Sequence, residues 1–257
     1  MKARVLVAGA LSLGLTACGT QSTSDIKVTN GKIIDESVYP SVVLLYRQVD
    51  EGGAICTGTF INKNTVLTAA HCVRGNPSEN DEVDTKLMIV KPKGDGSFES
   101  IAKSTNAYQS PSWDKTTTTP HIDDVGLVVF PEDTSANYSE ITDEQAELGK
   151  KITIVGYGNN DNVTATGAGT KRLGTNTLKS FANGFLNFEG ALKTTDASGK
   201  NASAGPGDSG GPMFQDDKIV GITSGGGNRE TVTEDEYVDL SRTSVREFID
   251  AHTTANF

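Results

Sequence analysis

From residue 41 onward the chain is a succession of short apolar and β-branched runs, broken every few positions by Gly, Pro or polar clusters. Val42–Tyr46, Thr59–Ile61, Val66–Ala69 and Leu87–Val90 each read as a strand. So do Val125–Phe130, Ile152–Gly158, Leu178–Phe181, Phe185–Phe188 and Lys218–Thr223. Many short strands with turn residues between them predict an all-β sandwich or barrel, not alternating βαβ units. One helix is predicted near the end, where Val245, Phe248, Ile249 and His252 recur at helical spacing behind a Ser244/Glu247 capping box. The stretches 74–84, 108–119 and 158–174 read as polar loops, and 131–150 as a connection joining two halves.

The first residues follow a different pattern. Lys2 and Arg4 precede an apolar segment from Val5 to Leu15, which ends in Thr16-Ala17-Cys18, as an export signal does. Residues 19–27 are polar and read as a tether. A net charge of −10 argues against nucleic acid as a partner. No apolar run is long enough for a membrane-spanning helix. A chain of 257 residues can form one large β domain or two smaller ones.

Candidate chemistry centres on Gly207-Asp208-Ser209-Gly210-Gly211-Pro212. Glycines on both sides of the serine predict a tight turn that presents a hydroxyl beside backbone N–H groups. Acyl transfer needs that arrangement: a nucleophile, with amides facing the oxygen that becomes negative. A glycine-rich surface loop is the alternative for this motif alone. A serine also needs a base. His71, in Thr68-Ala69-Ala70-His71-Cys72, ends an apolar strand, whereas His121 sits in a polar loop and His252 on the packed face of the helix. Asp123 and Asp124 both stand before the Val125 strand as carboxylates for that base.

These segments, in the order His, Asp, Ser, resemble the trypsin/chymotrypsin family of serine peptidases over residues 28 to about 252. The resemblance implies two antiparallel Greek-key β-barrels with a C-terminal α-helix, and an active cleft between the barrels. It assigns His71 as general base, Asp124 as its partner through the Asp-aliphatic-small-Leu pattern, and Ser209 as nucleophile. The N–H groups of Gly207 and Ser209 become the oxyanion hole. It implies a Cys56–Cys72 disulfide, protein or peptide substrates, and no cofactor or metal. The triad order differs from that of α/β-hydrolases. A non-catalytic homologue acting as a binding module is the rival reading, although no triad residue is missing.

Val28-Thr29-Asn30-Gly31 resembles the family's mature N-terminus, which implies cleavage after Lys27 and an ion pair between the Val28 amine and Asp208. Residues 15–18 resemble a bacterial lipobox, which implies acylation of Cys18 and an exported lipoprotein, held at the envelope or secreted after cleavage. A plain secretory signal is the alternative. The chain then divides into a signal with lipobox (1–18), a tether or propeptide (19–27) and a peptidase domain (28–257). The resemblance puts Ser203 at the floor of the specificity pocket, with Ser224, Gly225 and Gly226 along its wall. Gly225 stands where the family has an aromatic, which leaves that wall open. With no acid at Ser203, cleavage after Lys or Arg is not expected as the main specificity, and the Lys27–Val28 cut is expected to need a separate activating peptidase.

Overall fold

The computed structural model describes residues 28–253, apart from 50–51, 75–86, 94–96, 114–115, 118, 162, 165 and 196–197. The export signal, Cys18, Lys27 and most of the 74–84 loop lie outside the described residues.

Two antiparallel sheets account for the chain. After β1 (Lys32–Ile33), the first sheet takes β2 (Val42–Val49), β3 (Gly52–Phe60), β4 (Thr65–Thr68), β5 (Met88–Pro92), β6 (Phe98–Lys103), β7 (Asn106–Gln109) and β8 (Gly126–Val129), in the order β6-β5-β2-β3-β4-β8-β7. The second takes β9 (Lys151–Gly156), β10 (Arg172–Thr177), β11 (Ser180–Ala182), β12 (Phe185–Ala191), β13 (Pro212–Gln215), β14 (Lys218–Asn228) and β15 (Val232–Asp239), with β1 at its edge beside β10. A one-turn helix, α1 (Ala70–Val73), follows β4, and α2 (Thr243–His252) closes the chain. This is the all-β architecture with a C-terminal helix expected from the sequence.

Apolar burial joins the halves. Leu44, Ile61, Leu67 and Leu127 from the first sheet share one core with Val155, Phe214, Ile222 and Val238 from the second, and Val245, Phe248 and Ile249 of α2 dock on the same cluster. Burying side chains of this size stabilises by roughly 2 kcal/mol each before entropy is charged. The two sheets therefore meet over a shared core.

Two local expectations change. The helix begins one residue before the predicted cap, with Arg242 in extended backbone at its boundary and no side-chain cap. The Ser244 hydroxyl instead donates to Asp123 Oδ1 at 2.9 Å, so it ties the helix to the loop before β8. His252 is exposed and its ring lies against Tyr108 and Phe248, with centroids 4.5 and 4.9 Å away.

Candidate active site

Strand register puts the chemistry in one place. Thr68, the last residue of β4, pairs with Gly126, the first of β8. Residues just after β4 and just before β8 must then emerge at the same sheet end, and these are His71 and Asp124. The His71 N–H donates to Asp124 Oδ1 at 2.9 Å, and His71 Nδ1 lies 2.7 Å from Asp124 Oδ2. Two contacts from one residue fix both the backbone and the ring. The Asp124 side chain is 0% exposed, while that of His71 is 25% exposed. Ser224 donates its hydroxyl to Asp124 Oδ2 at 2.7 Å. A buried carboxylate with these donors orients an imidazole, because it accepts at Nδ1 and leaves Nε2 for the cleft. Asp123 faces elsewhere: Arg242 Nη1 lies 3.2 Å from its Oδ1.

His121, placed by the sequence in a polar loop, is half-buried and donates its backbone N–H to Ser224 Oγ at 3.0 Å. Trp113 sits between the two imidazoles, 6.2 Å from the His71 ring and 5.8 Å from that of His121. The Cys56–Cys72 disulfide is formed and braces α1 against β3. A loop of this size contributes roughly 3 kcal/mol in the chain-entropy model. Cys56, His71 and Cys72 form the one metal-type cluster among the described residues, but the disulfide leaves no thiolate to ligate.

The serine turn comes from the second sheet. Pro212 of β13 pairs with Ile222 of β14, so Ser209 and Ser224 share an end of that ladder. The amides of Asp208, Gly210 and Gly211 are satisfied by the carbonyls of Gly205, Thr223 and Asp208. Among the described residues, those of Gly207 and Ser209 find no acceptor. Two free amides side by side are what a developing oxyanion requires. Gly210 holds the turn at φ +76°, and a Cβ there would stand 2.1 Å from Thr68 Oγ1 and 2.6 Å from the Ala69 nitrogen. Left-handed strain and a clash with backbone add up. Gly210→Ala is expected to cost about 3 kcal/mol of unfolding free energy. A denaturation midpoint unchanged from wild type would show that the turn can yield.

Asp208 is buried behind the serine. Its Oδ1 accepts the Gly158 N–H at 2.7 Å and its Oδ2 that of Gly205 at 2.9 Å. Burial pushes its carboxyl from 3.8 up to about 6, against the pull of those two amides and of Arg172. Gly156 and Gly158 leave it room, since a Cβ at either would meet the carboxylate. Val28 is buried in the core of the second half, and Thr29 bridges to Ser203.

His71 and Ser209 line two cavities that meet between them. The first, of about 320 Å³, runs along Ala204–Pro206 and Thr223–Gly226 and ends at Thr233 and Asp235. The second, of about 310 Å³, lies on the other side, against Ile55, Leu87 and the disulfide. A peptide crossing the seam would fill both.

The pocket differs from expectation at Ser203. Its hydroxyl is turned away to the Ala191 carbonyl, 2.6 Å off, and the residue lies behind the cavity lining, which begins at Ala204. Beside Gly225, where an open wall was expected, Pro120 closes in, and Thr119 joins the lining. The sequence reading missed Asp235. It lies on β15 opposite Gly226 and is 1% exposed. Its Oδ1 accepts the Ala204 N–H at 2.9 Å, and its Oδ2 has no partner among the described residues. Burial pushes this carboxyl well above the usual range, the Ala204 amide pulls it back, and Asp208 pushes it further up. A signal was present: in Thr233-Glu234-Asp235-Glu236-Tyr237 the odd positions are buried and the glutamates between them are not.

A sequence model of the trypsin family matches residues 28–247. Among solved structures, a Glu endopeptidase in complex with MPD superposes with a TM-score of 0.63 at 19% identity, covering 88% of this chain and 98% of that one. Neuropsin, a serine protease expressed in the limbic system of mouse brain, gives 0.62 at 19% identity, covering 84% and 97%.

Proposed function

This chain belongs to the trypsin family, and from that premise we propose that it is an exported serine endopeptidase working through an acyl-enzyme. The observation that carries this reading is the buried Asp124 holding His71 at 2.7 Å, in the same cleft as Ser209 and two unpaired amides. Ser209 Oγ attacks the scissile carbonyl carbon as His71 Nε2 takes its proton. The carbonyl oxygen becomes negative and is held by the Gly207 and Ser209 N–H groups. Collapse breaks the C–N bond, and His71 returns the proton to the departing amine. Water then attacks the Ser209 ester by the same route, which frees the acid and restores the hydroxyl. Asp124 keeps the imidazole in the required tautomer and stabilises its charged form. Hydrolysis of an unfolded protein, abolished by a sulfonyl fluoride and indifferent to chelators, tests the reading. Chelator-sensitive hydrolysis would overturn it.

Export, acylation of Cys18 and activation at Lys27–Val28 belong to the same proposal. Cleavage there would give Val28 an ammonium, and Asp208, buried with two amides donating to its oxygens, is the carboxylate whose charge such a group would stabilise. The sign follows from linkage: a carboxyl raised from 3.8 to about 6 on folding contributes stability that is full below pH 3.8 and is lost as pH rises through 6. The amount is ~3 kcal/mol. In the uncut chain, carboxyl-carbon NMR is expected to show Asp208 titrating near 6. After cleavage its midpoint is expected to fall below 3.8. No change on cleavage would separate Val28 from Asp208.

A further inference from the structure

We propose that Asp235 is the specificity-determining residue of the cleft, and that it selects peptide bonds following lysine or arginine. This rests on the peptidase reading and goes further, because it names the substrate class. The cavity that starts at His71 and Ser209 has Asp235 in its lining. Among the described residues only Oδ1 of that carboxylate is occupied, by the Ala204 amide, while Oδ2 is buried with no donor. An orphaned buried carboxylate oxygen is costly unless a donor or a cation reaches it. Among the described residues along that lining, His71 is the one side chain able to carry positive charge, and its Nδ1 is held by Asp124.

The walls suit a long side chain with a cationic tip. Gly205, Gly225 and Gly226 contribute no side chains, and Thr223, Thr233 and Asn228 offer small polar groups. An aliphatic stem can lie along this backbone while its ammonium or guanidinium meets Oδ2. A leucine or phenylalanine side chain would cover Oδ2 without pairing it, and a glutamate would set a second carboxylate against it. Ser203 takes no part, since its hydroxyl is spent on Ala191. The expectation that Lys and Arg are disfavoured, drawn from Ser203, is thereby reversed. Lys27–Val28 becomes a bond that this pocket accepts, so the activating peptidase can be another copy of the same chain.

The test is a matched set of peptide anilides differing only in the residue before the scissile bond (Lys, Arg, Leu, Phe or Glu), assayed with the full chain as exported. The wild type is expected to favour Lys and Arg over Leu by on the order of 10²-fold in kcat/KM. Asp235→Asn keeps an oxygen for the Ala204 amide and is expected to lose most of that preference. Fluorophosphonate labelling of both proteins reports that the nucleophile is intact. A wild type that labels but prefers Leu, Phe or Glu would overturn the assignment and leave the peptidase reading standing. So would an Asp235→Asn variant that labels and slows equally on every substrate, which is the mark of a purely structural role. A wild type that neither labels nor cleaves would overturn both.

Discussion

Ser209→Ala and His71→Ala are each expected to lower kcat/KM on a peptide substrate by on the order of 10⁵-fold or more, and the double variant to lose no more than either alone. The reason is that neither group works without the other. An alanine at 209 leaves no oxygen to attack, and an alanine at 71 leaves the hydroxyl with nowhere to send its proton. The Gly207 and Ser209 amides survive in both variants, because the turn is fixed by Gly210, Thr57 and Thr223 and not by either catalytic side chain. A residual rate of roughly 10³-fold over water is expected from them. Losses that multiply in the double variant would mean that the two residues act independently, and would contradict the mechanism.

Asp124→Asn is expected to cost about 10⁴-fold in kcat, with the fold intact. An amide at 124 can still meet His71, but its NH₂ donates where the carboxylate accepted, and the ring is forced into the tautomer that cannot take the Ser209 proton. Asp123→Asn makes the contrast. Its carboxylate serves Ser244 and Arg242, so activity is expected within about threefold of wild type, with about 1 kcal/mol lost from the docking of α2. Near-normal turnover by Asp124→Asn would remove it from the mechanism, however close it lies to His71.

Much of this could be read from the chain, for physical reasons that vary by residue. Apolar strands such as Val42–Tyr46 and Ile152–Gly158 announce themselves through burial on both faces. β10 and β15 do not, because their buried positions include Arg172, Thr233 and Asp235, and a polar residue that points inward looks the same in sequence as one that points outward. Asp123 and Asp124 were adjacent candidates. The Asp-aliphatic-small-Leu pattern already points to Asp124, and the structure sets its Oδ2 2.7 Å from His71 Nδ1. The pocket was hardest. Ser203 holds the expected position in sequence, but its hydroxyl turns to Ala191, and the acid that faces the cavity sits in the polar first half of β15. A capping box at Ser244 failed for a similar reason, since a better-placed partner took the hydroxyl.

The central claim is that Ser209 is a nucleophile activated by the His71–Asp124 pair. The most direct test is peptide mapping after reaction with a fluorophosphonate. One adduct is expected, on Ser209, formed by wild type and by Asp123→Asn but not by His71→Ala. An adduct on any other residue, or one on Ser209 that forms equally fast without His71, would contradict it.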